Sequence, residues 1–343
     1  MAGFKKRLHL ISPPLYALTV ILFFSIFVTG CGSEFKTLFD DTDDNLTAGI
    51  YWVESEGTVN YINFDGTGRK TIYTSGSSAP FYVDVDLYDG KVYWTDLGYI
   101  GAVLYYQIKR VGFDGIGREV MYSYLESSGF GPLSLAIDKS ESSILWGYFQ
   151  NASVHHDIWK AEISSDPWIP VKWVPQINHY CMYSMCVDSI NRKIYYTANT
   201  YYEIAGFNHG SGNNGSVYIG PLDAAASNYD QRISDVGPAG VSTPFRGIAV
   251  DGAGGYVYYV FINSSSSLNI MRADLALSSF APWVTAGSFN IEKIALDLKN
   301  RKIYWTSNYS SQYRIYRADL DTSNSNVEVF LTLDNPPTGI AIH

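Results

Sequence analysis

The chain has 343 residues, 46% hydrophobic and 15% aromatic, with a formal charge of −9 at neutral pH. That is ample for a large buried core, and the bias toward aromatic and β-branched residues favours strands over helices. Net acidity with no basic stripe excludes a nucleic-acid binder, since a phosphate backbone demands positive charge.

The first thirty residues read as an export signal. Lys5, Lys6 and Arg7 precede a nearly continuous apolar stretch from Leu15 to Val28, the layout of a secretory leader. The stretch ends in Val28-Thr29-Gly30-Cys31, which resembles a bacterial lipobox. That resemblance implies cleavage before Cys31 and lipidation of its thiol. With Gly32 rather than Asp next, it also implies transfer to an outer membrane or the cell surface. A single amino-terminal membrane anchor with an incidental cysteine is the other reading, and both put residues 50–343 outside the cytoplasm. Buried acyl chains contribute about 0.8 kcal/mol per methylene, so lipidation alone anchors a protein without a spanning helix. Loss of residues 1–30 removes three basic and no acidic residues, moving the formal charge from −9 to −12. Residues 31–48, with Asp40-Asp41-Thr42-Asp43-Asp44-Asn45 among Gly, Ser and Thr, read as a solvated acidic tether. They lack the glycine turn and distal Glu of an EF-hand.

From residue 49 onward one unit recurs. Six couplets stand in the same setting: Tyr51-Trp52, Tyr93-Trp94, Leu145-Trp146, Tyr195-Tyr196, Tyr258-Tyr259 and Tyr304-Trp305. Their spacings are 42, 52, 50, 63 and 46 residues, the range of propeller blades. Each blade is expected to hold four strands, A to D. Strand A is an apolar run ending in Asp: Phe81–Asp86, Leu133–Asp138, Met182–Asp188, Arg246–Asp251 and Lys293–Asp297. Strand B carries the couplet. Strand C is expected over Tyr105–Phe113, His156–Ile163, Ser216–Leu222, Ser267–Leu275 and Tyr313–Leu320. Strand D follows turns such as Asp114-Gly115-Ile116-Gly117-Arg118, and Asp-Gly between apolar runs is a hairpin signal. The recurring aspartates are read as turn formers, since catalysis needs a group once and not in every blade.

The first repeat lacks a strand A. The missing strand stands at the other end, where Pro337-Thr338-Gly339-Ile340-Ala341-Ile342-His343 echoes Phe245-Arg246-Gly247-Ile248-Ala249-Val250-Asp251. The expectation is an all-β, six-bladed β-propeller closed by the C-terminal strand pairing into the first blade, spanning residues 49–343. Tyr93-Trp94-Thr95-Asp96, a basic residue with Phe-Asp-Gly, and Gly-Ile-Ala-Val-Asp together resemble the YWTD repeats of low-density-lipoprotein-receptor class B propellers. Only the second repeat keeps the full tetrad; others read Tyr51-Trp52-Val53-Glu54 or Tyr304-Trp305-Thr306-Ser307. The resemblance implies a six-bladed disc that binds proteins or peptides on one face, with no catalytic residues and no cofactor.

Chain direction sorts the connections by face. A-to-B turns such as Ser189–Arg192 and Leu298–Arg301 are minimal. B-to-C connections on the other face read as longer: Leu97–Leu104, Phe149–His155, Asn199–Gly215 and Asn308–Gln312. That loop face collects Tyr99, His155, His156, His179, Tyr180, Tyr201, Tyr202, Phe207, His209 and Tyr309, candidate anchors for a partner. A metal site among His155, His156, His179 and His209 is the sharper idea, but adjacent histidines on an extended chain point opposite ways, and no zinc-ligand spacing is present. These are read as surface histidines. Cys186 is read as a small core residue and Cys181 as a loop residue. Five extended residues would separate them by about 16 Å, beyond disulfide reach unless a tight turn intervenes.

The leading expectation is therefore a lipid-anchored extracytoplasmic protein that binds a protein, peptide or glycan through its loop face. The alternatives are a lactonase- or lyase-like enzyme with its site at the central channel, and a scaffold subunit of a cell-envelope complex. An enzyme needs convergent acids near the axis, whereas the inner strands read as mostly apolar or small, as in Gly247-Ile248-Ala249-Val250.

Overall fold

A computed structural model describes residues 48–343, apart from positions 77, 87, 126–129, 150–155, 178–180, 200–201, 205–206, 210–214, 224–230, 235–244, 263–267 and 286–289. The described residues form six four-stranded antiparallel sheets and contain no helix. From the inside outward, blade 1 holds Pro337–Ile342, Ile50–Glu54, Thr58–Ile62 and Lys70–Thr74. Blade 2 holds Ser78–Asp86, Lys91–Ile100, Val103–Gly112 and Glu119–Leu125. Blade 3 is Phe130–Asp138, Ser143–Phe149, His156–Glu162 and Val171–Ile177. Blade 4 is Cys181–Asp188, Lys193–Asn199, Gly215–Pro221 and Gln231–Ser234. Blade 5 is Ile248–Asp251, Tyr256–Ile262, Leu268–Asp274 and Phe280–Thr285. Blade 6 is Ile294–Asp297, Lys302–Tyr309, Gln312–Asp319 and Glu328–Leu333.

The couplet owes its form to strand geometry. Neighbouring residues on a strand point to opposite faces of their sheet, and here each face packs on a different blade. Tyr51 joins the core between blades 1 and 2, while Trp52 joins that between blades 6 and 1. Tyr93 and Trp94 divide in the same way between the 2–3 and 1–2 cores, and Tyr304 and Trp305 between the 6–1 and 5–6 cores. Six apolar clusters result, one at each blade junction. Both couplet positions face a core, so both are large.

The ring closes as expected from the tail. Ile342 pairs with Ile50, Ala341 with Tyr51 and Ile340 with Trp52. Gly49 and His343 exchange both backbone hydrogen bonds at 3.1 Å. The Thr338 hydroxyl donates to the Pro80 carbonyl at 2.6 Å, tying the closing strand to blade 2.

Two connections differ from expectation. The Leu97–Leu104 segment is not a loop, because strands B and C of blade 2 stay paired out to Ile100 opposite Val103. In blade 6 pairing runs to Tyr309 opposite Gln312, around a two-residue Ser310-Ser311 turn. In blade 2, aromatic and aliphatic residues from Leu97 to Tyr106 carry the ladder outward, whereas in blade 6 polar residues share it with Tyr309 and Tyr313. The Asn199–Gly215 connection contains a further hairpin, Tyr202–Ile204 against Phe207–His209. Cys181 is not a loop residue but opens the strand Cys181–Asp188; no tight turn separates it from Cys186, whose thiol is free.

The aspartates ending strand A form the turns, as read from the sequence. Asp86, Asp138, Asp188, Asp251 and Asp297 each accept a backbone N–H two or three residues ahead, at 2.7–3.1 Å. Three of these turns end in a non-glycine residue at positive φ: Ser142, Arg192 and Arg301. Two of those arginines reach back one blade, Arg192 to Asp138 and Arg301 to Asp251, each at 2.8 Å. The turn face is thus stitched blade to blade.

Candidate recognition face and axial channel

Because the blades repeat, their innermost strands can be compared position by position, counting back from the terminal Asp. Two steps before it stand Ala136, Ala249 and Ala295, with Ala341 in the closing strand, but blade 2 has Asp84 and blade 4 has Cys186. Four steps before it stand Ser134, Ser184, Gly247 and Gly339, but blade 2 has Tyr82 and blade 6 has Lys293. All four departures line one cavity of about 400 Å³ on the propeller axis, walled by the inner strands of all six blades. The residue-by-residue reading missed them. Alignment of the repeats on one another would have found them.

At the loop-face end, the Lys293 ammonium lies 4.0 Å from the centre of the Tyr82 ring and donates to the Tyr82 hydroxyl. It also donates to the Tyr183 carbonyl at 3.3 Å. These residues come from blades 6, 2 and 4. Groups from alternate blades meet only near the axis, so Lys293 lies across the loop-face mouth. Arg246 and Glu292 form an ion pair beside it, on the residues just before strand A of blades 5 and 6. Glu292 also accepts from the Asn290 amide at 2.6 Å.

On this face the blade 2 and blade 6 hairpins end in exposed aromatic residues. Tyr99 is 61% exposed and Tyr309 53%, with Ile100 and Val103 exposed beside Tyr99. No charged residue occurs between Leu97 and Tyr106. Among the other sequence candidates, Tyr202, Phe207 and His209 lie on the small hairpin in the blade 4 connection, and His156 opens strand C of blade 3, all described by backbone alone. His155, His179, Tyr180 and Tyr201 fall outside the described residues, as does Cys31. Among the described residues no three His, Cys, Asp or Glu side chains are grouped to hold a metal.

The turn-face end has a different character. The Asp84 carboxylate accepts from the Val85 amide at 2.8 Å and the Ile137 amide of the next blade at 2.9 Å. Burial pushes its pKa up, against the opposing pull of Lys139 and those two N–H groups. Burial also pushes the Cys186 thiol well up, helped by Asp188 and Asp84, so it is a poor nucleophile at neutral pH.

No family model matches the chain. Among solved structures, it is similar to a chain of a nidogen/laminin complex at 14% identity, covering 86% of this chain and 98% of that one, with a TM-score of 0.63. It is similar to TolB from Acinetobacter baumannii at 12% identity, covering 86% and 66%, with a TM-score of 0.58. A periplasmic gluconolactonase from Pseudomonas aeruginosa matches at 10% identity over 85% and 98%, with a TM-score of 0.55. Likeness at these identities establishes the six-bladed fold. That fold is shared by binding proteins and by an enzyme.

Proposed function

We propose that the chain is an exported lipoprotein, anchored through Cys31, whose YWTD-like propeller binds a protein or peptide, with a glycan as the alternative ligand, on its loop face. The observation that carries the reading is the pair of hairpins in blades 2 and 6 that overrun the disc and end in exposed, uncharged aromatic tips. Rigid aromatics on a firm scaffold are the side chains that dominate interface energetics. The channel mouth on this face supports binding over catalysis, because its cation is engaged by Tyr82 and Tyr183 and the neighbouring carboxylate by Arg246. Extracytoplasmic neighbours such as the periplasmic gluconolactonase are consistent with export. The chain enters the propeller at Gly49, beside His343 and on the face opposite the loop face.

Two measurements test this. Labelled palmitate should enter the wild-type protein in a bacterial host and not the Cys31→Ser variant; label retained by the variant contradicts the anchor. Replacing Tyr99 and Tyr309 together by Ser should weaken partner binding by about tenfold or more without lowering the melting temperature. Unchanged affinity contradicts the loop-face assignment.

A further inference from the structure

We propose that the axial channel is a second binding site, opening on the turn face, for a small molecule that joins a short alkyl chain to an anionic head group. Its volume of about 400 Å³ lies within the range of small-molecule sites. Its loop-face end is barred by Lys293, held across the axis by Tyr82 and Tyr183. The remaining way in is through the A-to-B turns, where Ile190 and Leu298 line the channel and are 68% and 42% exposed.

Two features define what fits. The wall is largely aliphatic, with alanines from blades 3, 5, 6 and 1 leaving room for an occupant; an apolar cavity holds water poorly and favours an apolar guest. An alkyl chain seated there would also cover Ile190 and Leu298. The hydrogen bonds already made around the channel limit which lining group a head group can meet. Asp84 has both oxygens on backbone amides. Asp188 holds its own turn through the Ile190 and Asn191 amides and the Asn191 side chain. Lys293 is bound at the far end. Lys139, which lines the turn-face end, makes no hydrogen bond or ion pair with any described residue. It acts on Asp84 and Asp86 only through space. Lys139 is thus the lining cation whose ammonium no described residue engages directly, and the head group that its N–H donors fit is a carboxylate or similar anion. The site faces away from the loop-face hairpins and stands whether or not they bind a partner.

Cys186, on the channel wall, supplies the readout. The full chain in lipid nanodiscs is treated with a small methanethiosulfonate reagent at alkaline pH, and modification of Cys186 is followed by peptide mass spectrometry. Octanoate is the probe, with acetate and octylamine as controls. Octanoate should slow modification about tenfold, and the controls should not. Lys139→Met should cancel that protection, its rate with octanoate matching its own rate without it. Ala295→Leu, which fills the channel, should slow the reaction with or without octanoate. Equal rates with and without octanoate in the wild-type protein overturn the site, and equal protection by octylamine overturns the anionic head group. A thiol that never reacts overturns the opening on the turn face.

Discussion

At the scale of single residues, the aspartates ending strand A show how one side chain is reused with different partners. Asp138 is the most heavily engaged, accepting from Ser140, from Ser189 of the next blade and from Arg192. Burial works to raise its pKa, but the bonds from Ser140, Arg192 and Ser189 outweigh it and hold the carboxyl below its usual range. An acid with a lowered native pKa contributes stability that is complete above its unfolded pKa and is lost as the pH falls through the native one. Asp138→Asn should therefore cost about 2 kcal/mol near neutrality, with its melting temperature converging on that of the wild type in acid. A gap that stays constant with pH contradicts the assignment. The turn role of these aspartates was legible because they recur. Asp84, Cys186, Tyr82 and Lys293 were not, because each is unremarkable in its own strand and stands out only against the small residues at the same position elsewhere.

Among the elements, the strands inside the disc were legible and the projecting ones were not. Inside, every couplet faces two cores, so its aromatic pattern marks strand B. Beyond the rim only ladder pairing continues, and the turns lack the Asn-Gly or Asp-Gly pair that announces a hairpin. The blade 6 turn is Ser310-Ser311, with both residues at positive φ, 53° and 59°. Serine tolerates that conformation less well than Asn or Gly. Changing the pair to Asn-Gly should raise stability by about 0.5–1 kcal/mol, seen as a higher melting temperature. A lower one would show that the turn does not hold this conformation. The same hairpin carries Tyr309 to the rim, which makes its rigidity part of the binding surface.

For the whole molecule, closure governs stability. The C-terminal strand supplies Ile340 to the core between blades 6 and 1 and Ala341 to that between blades 1 and 2. Deleting residues 337–343 removes a full ladder and opens two of the six cores, an expected loss of more than about 5 kcal/mol. Denaturant unfolding should then show no single cooperative transition, whereas a wild-type midpoint would mean that the ring does not depend on its closing strand. This closure was legible because the tail repeats an internal motif; the partner was not, since fold is shared across functions. The claim that the loop face is the recognition surface is tested most directly by photo-crosslinking in the source cells, with a photoreactive residue at position 99 or 309 on the loop face, or at 88 or 116 on the turn face. Adducts to one partner from 99 and 309, and none from 88 and 116, are predicted; adducts from the turn-face positions alone would contradict it.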